Sequence, residues 1–184
     1  MKLRGRRLFA KMRERQVLIM YYRREIDSPA GPLTLVTDGR ALCGVFFTPP
    51  RFCPNCLREA RPGPAEHWIL DGAEEWLRAY FAGACPRPPA LPLHAEGTAF
   101  QSLIWKLLEE IPYGTTVTYG ELAARVARRL GREHMSAQAV GNAVGHNPLA
   151  IILPCHRVVA KGGLGGFSGG EAVKRILLQH EGIL

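Results

Sequence analysis

Residues 145–159 read GHNPLAIILPCHRVV. After the break at Asn147-Pro148, Leu149 to Leu153 form an uninterrupted apolar run, short enough to predict a buried strand. The run delivers Pro154, then Cys155 and His156. A cysteine attacks as its thiolate, and an unperturbed thiol is only a few per cent ionised near neutral pH, so a nucleophilic cysteine needs a base. Cys155-His156 supplies both groups. Neighbours in sequence need not point the same way, so the dipeptide alone is a weak signal. The last helix strengthens it. Val173, Ile176, Leu177 and His180 share one helical face and Glu181 follows. A carboxylate there can orient an imidazole, which can take the thiol proton through a water.

Upstream of this stretch the sequence predicts helices. Thr98 with Gln101 is a capping box, and Phe100, Leu103, Ile104, Leu107, Leu108 and Ile111 form one apolar stripe, ended by Pro112-Tyr113-Gly114. Thr118 with Glu121 is a second capping box, opening a helix that runs to about Leu130, and Ser136 caps a third over Ala137 to Gly145. The last two resemble a helix-turn-helix, whose second helix meets DNA. That helix, AQAVGNAVG, carries small residues, Ala139 and Gly141 among them. Such a face suits close approach to a minor groove better than reading base edges with long side chains; a tightly packed core helix is the plain alternative.

The first half reads differently. Ser28-Pro29-Ala30-Gly31 is a turn cluster, and Asp38-Gly39 is a hairpin turn between the alternating residues 33–37 and the run Ala41–Phe47. Residues 48–64 read as a loop, with five prolines and the pair Cys53/Cys56. Ile69, Ala73, Trp76, Leu77, Tyr80 and Phe81 have helical spacing, and residues 84–96 form a Pro-rich linker. The fold class expected is α+β. Residues 1–20 are a basic tail, expected to be disordered. Residues 21–96 form a small sheet-plus-helix domain, and residues 97–184 a mostly helical domain.

Composition sets bounds. The 184 residues are 47% hydrophobic and 22% charged, an ordinary globular balance. Five cysteines are too few for a disulfide scaffold, and their odd number leaves at least one free, which fits a reducing cytoplasm. No apolar run approaches the ~20 residues of a membrane helix, and Val17–Tyr22 is too short for a signal-peptide core. The net charge of +8 excludes an acidic solvating protein and admits a polyanionic partner. Its distribution is uneven: residues 1–15 hold +6, residues 16–96 hold −1 and residues 97–184 hold +3. The tail is either a phosphate-tracking arm or a dispensable extension.

PCHRVV after GHNPLAIIL, TAFQSLIWKLLEEIPYGTTVTYGELA upstream, and GGFSGG and LLQHEG downstream resemble the O6-alkylguanine-DNA alkyltransferases, the methylated-DNA–protein-cysteine methyltransferase family. The match runs in order over residues 97–184 and more weakly over about 22–96, through SPAGPLTLVTDG and EEWLRAYFAG. The resemblance implies direct, irreversible, single-turnover transfer of an alkyl group from guanine O6 to a cysteine, with O4-alkylthymine as a second lesion. The base must leave the duplex first, at a cost of a few kcal/mol. It implies Cys155 as acceptor, His156 as base through a water, Glu181 as the carboxylate orienting it, and Asn147 as the brace of the active-site turn. Tyr119 matches the tyrosine that bonds the flipped base and crowds its phosphate. Val158 and Ser168 match pocket groups that act through their backbone. Read without the family, Tyr119 is a buried aromatic, Asn147 a helix C-cap and Ser168 a loop residue.

Three positions depart from the pattern. Gln138 stands where an arginine usually fills the space of the flipped base; it is uncharged and shorter. Gly145-His146 replaces a cation near the helix end, and Phe167 replaces a common tyrosine. The partner implied is double-stranded DNA, met through its minor groove by a monomer with no membrane contact, in the cytoplasm and associated with the nucleoid. No cofactor is required. Some family members hold a structural zinc in the first half; Cys53-x-x-Cys56 is half such a site, with Cys43, Cys85, His67 or His94 to complete it, and a disulfide or free thiols are equally open. The alternative functions are an alkyltransferase-like protein that binds lesions without repairing them, which typically lacks the acceptor cysteine, and a cysteine hydrolase, for which no local signature is present.

Overall fold

The structure, a computed structural model, describes residues 19–84 and 87–184. The basic tail lies, up to residue 18, outside the described residues, as does Cys85.

Strands β1 (Tyr22–Ile26), β2 (Leu33–Thr37) and β3 (Leu42–Phe47) form an antiparallel meander. The Asp38-Gly39 signal makes the expected turn. Asp38 Oδ1 accepts the N–H groups of Arg40 and Ala41 at 2.8 and 2.7 Å, and Gly39 takes the left-handed conformation (φ 84°) that favours glycine. The stretch 48–64, expected as a loop, holds two short elements. Helix α1 (Asn55–Glu59) starts directly after Pro54, and β4 (Arg61–Pro62) adds to β1 in parallel. The sheet order is β3-β2-β1-β4.

Helix α2 (Trp68–Phe81) buries Ile69, Leu70, Ala73, Leu77 and Tyr80, the stripe its spacing predicts. The linker pairs with the sheet: Leu42 N–H donates to Pro92 O at 2.8 Å, and His94 N–H to Leu42 O at 2.9 Å. In the second half, α3 (Ala99–Glu109) and α4 (Tyr119–Arg129) both open on complete capping boxes, and α5 (Ala137–Gly145) on a Ser136 cap. Two-residue strands β5 (Val117–Thr118) and β6 (Val158–Val159) pair in parallel, and α6 (Glu171–His180) ends the fold. Trp105 donates its indole N–H to Ala143 O at 3.0 Å, which fixes α5 against α3. The α+β class holds, and one apolar core runs through both halves, from Leu33 on β2 to Leu177 on α6.

Two local expectations fail. Leu149–Leu153 is not a strand. It is buried, but Ile151 has φ 71° and the chain turns on itself, pairing Ala150 with Leu153. The cause is Asn147, whose amide nitrogen donates to Leu153 O at 2.7 Å and whose Oδ1 accepts Leu149 N–H at 2.9 Å. The face of α6 is also rotated: Ile176 is exposed, while Lys174, Leu177 and Leu178 are buried.

The shared core makes stability sensitive to single residues at the junction. Leu108, fully buried on α3, is expected to cost about 2–5 kcal/mol when cut to alanine. Denaturant unfolding measures this; a loss below about 1 kcal/mol would mean that α3 is not the packed centre.

Candidate active site

Cys155 opens a single 3₁₀ turn, Cys155–Arg157, between the folded-back apolar run and β6. It is buried, with its sulfur accepting a hydrogen bond from Asn147 Nδ2 at 3.1 Å. Asn147 therefore acts on both the turn and the thiol, and the C-cap of α5 is His146 instead. Burial pushes the Cys155 thiol up, against the Asn147 hydrogen bond and the Lys174 charge. The resting group is the thiol, so attack requires proton removal.

The next residue in the chain carries an imidazole. His156 is fully buried, and its Nε2 lies 2.6 Å from Glu181 Oε1. Burial lowers its pKa despite the carboxylate, so the ring is neutral at pH 7. A neutral imidazole beside a carboxylate places its hydrogen on Nε2, which leaves Nδ1 as the acceptor. Nδ1 is buried and has no hydrogen-bond partner among the described residues.

Glu181 is also buried, just beyond the end of α6, and its carboxylate gathers further donors. Tyr80 O–H donates to Oε1 at 2.8 Å, Arg157 Nε to Oε2 at 2.8 Å, Arg157 Nη2 to Oε1 at 3.0 Å, and Gly114 N–H to Oε2 at 3.2 Å. Burial alone would raise this carboxyl, but the hydrogen bonds from His156 and Arg157 prevail and bring it down to about 2. Arg157 also donates to Ile111 O at 2.7 Å, and its guanidinium lies 5.5 Å from the centre of the Tyr113 ring.

Cys155 borders a cavity of about 570 Å³, within the range of small-ligand sites. Of the residues singled out in the sequence, Tyr119, Gln138, Gly141, Phe167 and Ser168 border it too. Ala139 and Val158 do not; Val158 contributes instead through its carbonyl, which accepts Lys174 Nζ at 2.6 Å. Tyr119 is the first residue of α4 and donates its O–H to Gly166 O at 3.0 Å. Gly165 permits this: its φ is +70°, and a Cβ there would stand 2.9 Å from the Tyr119 ring. Gln138 is exposed near the start of α5.

Several residues were missed from sequence. Lys174 is fully buried, donates to the carbonyls of Val158 and Gly166, lies 5.8 Å from the centre of the Tyr119 ring, and has its pKa lowered to about 8 by burial. Its place beside Leu177, Leu178 and Glu181 on one helical face was the available signal. Tyr80, Arg157 and Gly114 were missed as well. So were Arg51 and Phe52, which line the cavity from the first half.

Cys53 and Cys56 do not form a disulfide; one thiol is exposed and the other buried. Among the described residues, the potential metal ligands that come within 4.8 Å of one another are Asp38, Cys43 and His94, and the Cys53/Cys56 pair is not part of that group. Asp38 is already held by the turn amides of Arg40 and Ala41. No helix of the described residues is long and apolar enough to cross a membrane.

Comparison with known proteins places this geometry. The family described as 6-O-methylguanine DNA methyltransferase, DNA binding domain, matches residues 99–183. A methylated-DNA–protein-cysteine methyltransferase of Mycobacterium bovis is 42% identical over 168 residues, covering 88% of this chain and 93% of that protein. This chain belongs to the methylated-DNA–protein-cysteine methyltransferase family. A second methyltransferase of the family, from Haemophilus influenzae, is 40% identical over 85% of this chain and 83% of its own length. The structure of Mycobacterium tuberculosis OGT in complex with DNA superposes with a TM-score of 0.76 at 41% identity, covering 89% of this chain and 93% of that one. The alkyltransferase resemblance and its α+β fold are thus shown, and a lesion-binding protein without transfer is not favoured.

The Glu181 pKa has a consequence for stability. A carboxyl held below its ordinary value of about 4 stabilises the fold above about pH 5, and that contribution disappears as the pH falls toward 2. Glu181→Gln should therefore be less stable at neutral pH and give a flatter stability profile between about pH 5 and pH 2. Denaturant midpoints across that range measure it; parallel profiles for the two proteins would contradict the assigned charge.

Proposed function

We propose that this chain repairs DNA by moving an alkyl group from guanine O6 to Cys155 Sγ, once per molecule. The carrying observation is that Cys155 borders the cavity while His156 and Glu181 stand behind it. The thiol proton passes through a water to His156 Nδ1, the free acceptor. The thiolate attacks the alkyl carbon, the S–C bond forms, and the C–O6 bond breaks with its electron pair going to the guanine. The net proton transfer is from the thiol to guanine N1. Glu181 holds the tautomer and stabilises the transient imidazolium. The product thioether has no proton to lose and is a poor leaving group, so the cycle ends there.

The same reading assigns the cavity to a flipped guanine. Tyr119, fixed to Gly166 O, forms one wall and Phe167 another. The small residues of α5 support close approach to the minor groove, and Gln138 takes the place of the ejected base. The protein acts as a monomer and uses no cofactor. It works where the chromosome is, in the cytoplasm at the nucleoid. O4-alkylthymine presents the same alkyl–oxygen bond and is the second substrate.

Incubation with an O6-methylguanine duplex should add one methyl to the intact mass, located on Cys155, and Cys155→Ala should gain none. An unchanged wild-type mass would refute transfer. His156→Ala should slow the step by about 10²–10⁴-fold, the usual contribution of a general base. Pretreatment with a chelator should leave the rate intact, and its loss would reveal a metal requirement. Gln138→Arg should accelerate transfer from duplex DNA; an unchanged rate would mean that Gln138 does not limit flipping.

A further inference from the structure

One wall of the lesion cavity comes from the first half of the chain. Beyond β3, the segment Thr48-Pro49-Pro50 leads into Arg51 and Phe52, which border the same cavity as Gln138 and Cys155. Ring contacts hold this corner. Phe52 meets His146, the cap of α5, with ring centres 5.3 Å apart, and packs edge-on against Phe46 of β3 at 6.0 Å. Phe47 of β3 meets Phe167 of the cavity wall at 5.8 Å. The corner is therefore fixed to both the DNA-facing helix and the pocket loop.

The charge of the cavity is concentrated at this corner. Helix α5, AQAVGNAVG, has no cationic side chain, and among the described residues the cavity lining contains no Asp, Glu or Lys. Among the described residues that line it, Arg51 is the one arginine. It is exposed and makes no hydrogen bond or ion pair with the described residues. The half of the chain that carries it, residues 16–96, is net −1. A guanidinium keeps its charge at every relevant pH and matches phosphate oxygens with a two-pronged donor face.

We infer that Arg51 is a DNA-backbone contact at the mouth of the lesion cavity, binding a phosphate beside the flipped nucleotide, with Phe52 as the residue that positions it. This assignment rests on the lesion reading above. It supplies, from the first half of the chain, a cation that α5 lacks at Gln138. A nucleotide turned into the cavity carries its flanking phosphates to the rim, where an unpaired guanidinium gains a charge-assisted hydrogen bond without breaking an existing one.

The test measures binding of full-length protein to an O6-methylguanine duplex as a function of salt, in a Cys155→Ala background so that the lesion is not consumed. Each phosphate neutralised contributes about 0.9 to the slope of log K against log salt. Arg51→Ala should therefore reduce the slope by about 1, so that a fourfold rise in salt weakens it about threefold less than the parent. Arg51→Lys should restore the slope. Arg40→Ala, which removes an exposed arginine from the β2–β3 turn, should leave it unchanged. An Arg51→Ala slope equal to the parent's, or a reduction matched by Arg40→Ala, overturns the inference. Absence of methyl transfer to wild-type Cys155 in a parallel mass measurement refutes the underlying lesion reading instead.

Discussion

A carboxylate buried between the two halves of the chain must be ionised and fully bonded to be tolerated there, and Glu181 meets that demand with donors from three parts of the fold. Tyr80 reaches it from α2, Gly114 from the turn after α3, and His156 and Arg157 from the 3₁₀ turn. Removing any one donor leaves part of a buried charge unsatisfied, so the constraint couples the first half of the chain to the second. It also fixes chemistry. The oxygen that accepts Tyr80 O–H also faces His156 Nε2, which sets the imidazole tautomer and leaves Nδ1 as the buried acceptor.

The thiol is placed by a second polar residue. Asn147 folds Leu149–Leu153 back on itself, through the positive φ of Ile151, and then donates to Cys155 Sγ. A β-branched residue rarely adopts that conformation, so the turn depends on the surrounding hydrogen bonds and packing to hold it. The two devices divide the work between them. Asn147 bonds the Cys155 thiol, and Glu181 bonds the His156 imidazole. Lys174 adds a buried positive charge beside the Tyr119 ring and the cysteine, which favours thiolate once the proton leaves.

Local signals in the sequence were read well wherever the physics was local. The Thr98/Gln101 and Thr118/Glu121 capping boxes form as the four-residue pattern requires, and the α2 stripe buries the residues its spacing selects. The Asp38-Gly39 turn forms for the same reason. The run Leu149–Leu153 misled because its hydrophobicity reports burial and not extension; the Asn147 side chain decides its shape. Lys174 was not singled out: its helical face with Leu177 and Leu178 hints at burial, but the two carbonyl acceptors come from other segments. Tyr80 and Arg51 reach the site only through tertiary packing, across about a hundred residues of sequence in the case of Tyr80 and Glu181. The resemblance to alkyltransferases singled out Cys155, His156, Asn147 and Glu181, and the structure pairs Asn147 with Cys155 and His156 with Glu181.

The proposed chemistry depends on a buried, ionised Glu181 that holds His156 as a neutral imidazole with Nδ1 left as its acceptor. The most direct measurement is the ¹⁵N NMR spectrum of the His156 imidazole in the free protein at pH 7. The expected result is a neutral ring with its hydrogen on Nε2 and an unprotonated Nδ1, changing to the other pattern when Glu181 is replaced. A doubly protonated ring, or a hydrogen resident on Nδ1, would contradict the account.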